Sequence, residues 1–123
     1  MDRSDLRRHT RFELFEYAFI HVEGDPQSKR SVLVDVSIGG AQVRTRDQIE
    51  VGSTASLQIT DGSGEPISVS SEVRYSYAID GTDLYAIGFR FSPANPEEKA
   101  KIVRYVHDLF KAQGELLLDE DSA

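Results

Sequence analysis

The stretch Ser31-Val32-Leu33-Val34-Asp35-Val36-Ser37-Ile38-Gly39-Gly40-Ala41-Gln42-Val43-Arg44-Thr45-Arg46 decides the fold. Side chains on a strand point alternately to its two faces. Val32, Val34 and Val36 share one parity, and Asp35 and Ser37 share the other. After the two glycines, Ala41, Val43 and Thr45 alternate with Gln42, Arg44 and Arg46. Two alternating runs joined by glycines predict an antiparallel hairpin. With the valines in the core, Asp35 and Ser37 are expected to face outward together.

The same reading extends in both directions. Residues 12–23 are rich in aromatic and β-branched types and predict a strand covered on both sides. Gly24-Asp25-Pro26, Val51-Gly52, Asp61-Gly62-Ser63-Gly64 and Asp80-Gly81 predict turns. Ala55, Leu57 and Ile59 mark a fourth strand. Ile67, Val69, Val73, Tyr75 and Tyr77 share one face of a fifth, which Ser71 interrupts at a bulge or bend. Tyr85, Ile87, Phe89 and Phe91 line a sixth, with Gly88 and Arg90 opposite.

The period then lengthens. Asn95 suits an N-cap, Pro96 the first helical position, and Glu97 and Glu98 the positive end of the helix dipole. Ile102, Val103, Val106, Leu109, Phe110 and Gln113 recur at helical spacing, and Gly114 is expected to close the helix. The expected fold is mainly β: a six-stranded antiparallel β-barrel with a C-terminal α-helix. Residues 115–123 are expected to form an acidic tail. Its Leu116-Leu117-Leu118 is a candidate contact with the barrel or with a partner.

Composition narrows the function. The chain has 123 residues and no cysteine, which excludes disulfides and thiolate chemistry. Its start is charged, without the apolar core of a signal peptide, and no apolar run is long enough to span a membrane. A cytoplasmic location is expected. The net charge of −7 argues against nucleic acid as a partner. Residues 1–11 hold four arginines against two aspartates, a local +2 on a body of −9. A cationic arm on an acidic body suits a small anion better than a long polyanion. His9, His21 and His107 show no metal-ligand spacing, and Ser37 has neither a neighbouring histidine nor a nucleophile-elbow pattern, so neither a metal nor catalysis is expected.

Arg7-x-x-x-Arg11 before the first strand, with Asp35-x-Ser37-x-x-Gly40 after the second, resembles the PilZ domain family over nearly the whole chain. Gly88-Phe89-x-Phe91 and the final helix fall where that family has them. The resemblance implies a single-domain receptor for cyclic di-GMP, with no enzymatic activity and no cofactor besides that ligand. In such a receptor Arg7, Arg8 and Arg11, within a switch segment 1–11, wrap the ligand, and Asp35, Ser37 and Gly40 contact a guanine. The expected barrel and helix occupy 12–114. Leu6, where an arginine accompanies a dimeric ligand in some members, favours one molecule per site.

The residue types fit that ligand. Arginine can fork onto phosphate oxygens or stack on a base. A carboxylate such as Asp35 can accept two guanine N–H groups, Ser37 adds a short polar group, and Gly40 admits a flat ring where a Cβ would collide. The plain structural alternative is that Asp35 caps the glycine turn. Arg44, Arg46 and Arg74 are expected to be solvated, with one able to flank the ligand. The expected outcome is an adaptor that passes ligand state to an unidentified effector protein in motility, attachment, polysaccharide or virulence control. The alternative is a PilZ-type protein–protein adaptor whose nucleotide binding is weak or lost.

Overall fold

A computed structural model describes residues 12–60 and 66–122, with side-chain surroundings from Glu16 to Ala112. The strands are β1 (Phe12–Val22), β2 (Lys29–Val36), β3 (Gly40–Thr45), β4 (Thr54–Ile59), β5 (Ile67–Ala78) and β6 (Tyr85–Phe91), followed by helix α1 (Pro96–Ser122). They close into a barrel in the order β1-β2-β3-β6-β5-β4, every pair antiparallel. Closure leaves no sheet edge to template aggregation. The expected Asp61–Gly64 turn and the segment 1–11 lie outside the described residues.

The interior is filled. Ala18, Ile20, Leu33, Val36, Val43, Leu57, Ile59, Val69, Val73, Ile87 and Phe89 form one buried cluster. Each fully buried aliphatic side chain contributes roughly 1.5–3 kcal/mol over an exposed one. The alternation expected for β3 and β4 holds: Ala41, Val43, Thr45, Ala55, Leu57 and Ile59 are all buried.

Three faces differ from the sequence expectation. In β2 the buried set is Ser31, Leu33 and Val36, not Val32, Val34 and Val36. Leu33 pairs with Val43 and Asp35 with Gln42, so Val34 is one extra residue, a bulge. A one-residue insertion exchanges the faces of everything beyond it. The same device operates in β5. Val73 pairs with Phe89 and Tyr75 with Gly88, which makes Arg74 the extra residue. The interruption is therefore at Arg74 and not at Ser71, whose side chain is buried with its hydroxyl on the Val69 carbonyl. Beyond the bulge Tyr75 and Tyr77 are exposed, 38% and 54%, rather than in the core. In the described part of β1, Ala18 and Ile20 are buried, whereas on the other face Phe19 is half-buried and Tyr17 is 66% exposed, so the strand is not covered on both sides there.

Helix α1 packs against β5. Asn95 caps it, its Oδ1 accepting from the Glu98 N–H at 2.8 Å. The Glu98 carboxylate accepts in turn from the N–H groups of Ser70 (2.8 Å) and Ala94 (3.0 Å), which pins the helix start to β5. Partial burial works against ionisation of Glu98. The Ser70 and Ala94 donors outweigh it and hold the carboxyl below its ordinary 4.5. The buried stripe is Ile102, Tyr105 and Val106, flanked by Val103 and Leu109. Phe110 lies just past it and is 64% exposed. The helix does not end at Gly114 but runs through the expected tail to Ser122. One interior glycine costs about 1 kcal/mol, and the Glu-Leu-Leu-Leu that follows has high helix propensity.

Two glycines are fixed by close approach. A Cβ on Gly40 would lie 2.2 Å from the Phe89 carbonyl oxygen, part of the β6 backbone. A Cβ on Gly88 would meet the Tyr75 ring, at 2.1 Å, and an exposed ring can swing away. Urea denaturation should therefore show Gly40→Ala losing about 2–3 kcal/mol and Gly88→Ala clearly less. Equal small losses would contradict the packing described. Because Glu98 has a lowered folded-state pKa, its contribution is complete above the ordinary carboxylate range and disappears as pH falls through the depressed value. Glu98→Gln should cost about 1 kcal/mol near neutral pH, and the gap to the parent chain should close on acidification.

Candidate functional site

The β1–β2 register sets the start of β1 beside the end of β2. Phe12, the first residue of β1, pairs with Val36, and Glu13 pairs with Asp35. The chain therefore enters the barrel beside the Asp35–Gly40 turn. Arg7, Arg8 and Arg11 lie outside the described residues.

Asp35 is half-buried, on the opposite face from the buried Val36. Ser37 does not share that outward position. It is 3% exposed, and its backbone N–H donates to the Gly40 carbonyl at 2.8 Å. Its hydroxyl accepts from the Gly39 N–H at 3.2 Å and reaches the Gly40 carbonyl at 3.5 Å. The strand has ended at Val36, so alternation no longer applies and Ser37 turns inward to shape the loop. Gly40 is buried, and the contact that excludes a side chain there is the β6 backbone rather than an open space awaiting a ring. The Phe91 N–H donates to the Gly39 carbonyl at 2.9 Å and ties the turn to β6.

From Asp35 a row of cross-strand neighbours runs over the outer wall. Asp35 pairs with Gln42, Gln42 with Gly88, and Gly88 with Tyr75. Gln42 Nε2 donates to Tyr75 Oη at 2.6 Å, and Arg44 Nη1 donates to Gln42 Oε1. The Tyr75 ring lies over Gly88 and stacks on Tyr77, with centroids 5.7 Å apart and planes inclined by 24°. The adjacent row is Tyr17, Val32, Arg44, Ala86 and Tyr77. It borders a cleft of about 460 Å³ lined by Tyr17, Arg30, Val32, Arg44, Arg46 and Leu84, among others. Arg46 is paired with Asp83 at 3.3 Å, both largely exposed.

Sequence reasoning missed the part Gln42, Tyr75 and Tyr77 play in this wall. The tyrosines were hidden by the bulge at Arg74. The available signal was Gly88: a glycine within an apolar strand marks the close approach of something on its bare face. Among the described residues no group of histidines and carboxylates is placed to hold a metal ion. No helix of the described chain is long and apolar enough to cross a membrane.

These features define a small closed-barrel domain with a filled core, and with Asp35, Gln42, Arg44, Tyr75 and Tyr77 grouped on its outer wall. The family model for the PilZ domain matches residues 5–108, and the chain belongs to that family. Solved structures share the fold at low identity. The PilZ domain with c-di-GMP of YcgR from Escherichia coli has a TM-score of 0.73 at 18% identity, covering 91% of this chain and 97% of that one. The K. pneumonia MrkH–c-di-GMP complex has 0.72 at 17%, covering 93% and 54%. The Bacillus subtilis inhibitor of motility, MotI/DgrA, has 0.68 at 17%, covering 91% and 53%. This chain thus spans about half the length of the latter two. No curated protein matches it.

Proposed function

We propose that the chain is a cyclic di-GMP receptor without catalytic activity of its own, which converts the level of that second messenger into a changed protein-binding surface. The observation that carries this is the register of β1 on β2. With Phe12 opposite Val36 and Glu13 opposite Asp35, an arginine segment ending at Arg11 joins the barrel beside an outward carboxylate. Two solved neighbours, the YcgR PilZ domain and MrkH, are complexes with c-di-GMP, which supports the choice of ligand.

In this reading Arg7, Arg8 and Arg11 divide phosphate forks and base stacking between them, and fold over the ligand as it binds. Asp35 accepts from a guanine edge. Ser37 and Gly40 act on the guanine through the loop they shape: the buried hydroxyl and the close β6 contact hold the turn that presents Asp35. The acidic body favours a protein as the downstream partner over a nucleic acid. The structural likeness to the Bacillus subtilis inhibitor of motility supports motility as the kind of process controlled.

Calorimetry should show saturable binding of cyclic di-GMP and none of comparable strength for GMP. Arg7→Ala and Asp35→Ala should each weaken it by about 2–5 kcal/mol, as for breaking a desolvated charged contact. Absence of any binding heat, with a partner protein retained regardless of nucleotide, would instead support an adaptor that has lost its ligand.

A further inference from the structure

We propose that the cleft on the outer wall between Tyr17 and Leu84 docks a short acidic segment of a partner protein, one with carboxylates set around an apolar side chain. The cleft alone carries this, and it stands whether or not the chain binds a nucleotide. It lies toward the open end of the β2–β3 hairpin, away from the Asp35–Gly40 turn. Arg30 on its lining precedes Asp35 by five residues of β2. That is about 16 Å along the strand.

The first reason is charge. Residues 12–123 carry −9 and contain six arginines. Three of the six, Arg30, Arg44 and Arg46, line this one cleft. Val32 pairs with Arg44, and Arg30 and Arg46 follow two residues on, at the open end of the hairpin. Like charges gathered on neighbouring strands repel one another. Among the described residues Arg30 meets no carboxylate. Arg46 pairs with Asp83, but those side chains are 78% and 75% exposed, and such a pair holds weakly and opens readily. Asp47 is the single carboxylate on the lining, so the cleft keeps a local surplus of positive charge.

The second reason is the apolar part of the lining. Tyr17 is largely exposed there, and Val32 and Leu84 are half-buried. The hydroxyls of the floor are already engaged. Ser31 Oγ donates to the Ala18 carbonyl at 2.9 Å, and Thr45 Oγ1 donates to the Arg30 carbonyl at 2.9 Å. These cross-strand bonds fix the floor before anything enters, so little ordering is lost on docking.

The occupant follows from the two halves together. Arginine forks onto a carboxylate through two parallel hydrogen bonds. Inorganic phosphate would satisfy the guanidinium groups and leave Tyr17, Val32 and Leu84 wet. An aliphatic residue flanked by carboxylates covers both. A nucleic acid or an anionic membrane is opposed by the acidic body around the cleft. The same repulsion limits the segment to a few charges. About 460 Å³ suits a few side chains rather than a folded face.

The probe is the acetylated peptide Glu-Glu-Leu-Glu-Glu, titrated into the isotope-labelled full chain without nucleotide and followed by NMR. Saturable shifts are expected at the amides of Arg30, Val32, Arg44, Arg46 and Leu84. The peptide with glutamines for glutamates should give none, and the one with glycine for leucine should bind more weakly. Arg30→Ala should weaken binding about tenfold, with circular dichroism unchanged because the side chain is exposed. Added salt should weaken it as well. Absent or scattered shifts, or equal binding by Arg30→Ala, would overturn the proposal. Full displacement of the peptide by an equal concentration of inorganic phosphate would overturn it in favour of a small-anion site. Self-association of the chain in sedimentation that is abolished by Arg30→Glu would overturn it in favour of a second copy.

Discussion

The antiparallel pairing of β1 with β2 is the constraint on which the rest of the structure depends. It fixes Phe12 opposite Val36 and Glu13 opposite Asp35. Antiparallel partners lie about 5 Å apart, so the start of β1 and the end of β2 cannot separate while the barrel is closed. The chain therefore enters β1 beside the Asp35–Gly40 turn, which is where β2 ends. No side-chain contact is needed to hold the start of β1 at the end of β2; the hydrogen-bond ladder does it. Buried Val36 and Leu33 hold the register, because a slip of one residue would exchange core and surface along the strand.

Within that frame two bulges decide what the outer wall displays. The extra residue at Val34 turns Val36 inward and leaves Asp35 on the outside. The extra residue at Arg74 does the reverse for the tyrosines, moving Tyr75 and Tyr77 from the core parity to the surface. The two Gly contacts then differ in kind. At Gly40 backbone meets backbone, which locks the hairpin to β6. At Gly88 backbone meets an exposed ring, which orients a surface group. The first is a requirement of the fold, and the second is a requirement of the surface the fold carries.

Much of this was legible in the sequence. Strand positions, barrel class, the Asn95 cap and the buried faces of β3 and β4 followed from alternation and from turn and cap chemistry, which are local. The misread faces of β2 and β5 share one cause. A bulge adds a residue without a compositional mark, so parity counted through Val34 or Arg74 comes out inverted. The inward turn of Ser37 has a related cause: alternation was extended past the end of a strand that stops at Val36. Helix α1 was cut short at Gly114 because a glycine that ends one helix can be carried inside another when strong helix formers follow it. The packing reason for Gly40 was not legible, because the atom an added Cβ would meet, the Phe89 carbonyl oxygen, is 49 residues away in sequence.

The most direct test is a set of isotope-filtered nuclear Overhauser measurements on the complex with cyclic di-GMP. The account expects ligand protons to contact residues 7–11 and the Asp35–Gly40 turn. Contacts confined to the Arg30, Arg46 and Leu84 side of the neighbouring cleft, with none at the β1–β2 edge, would contradict it.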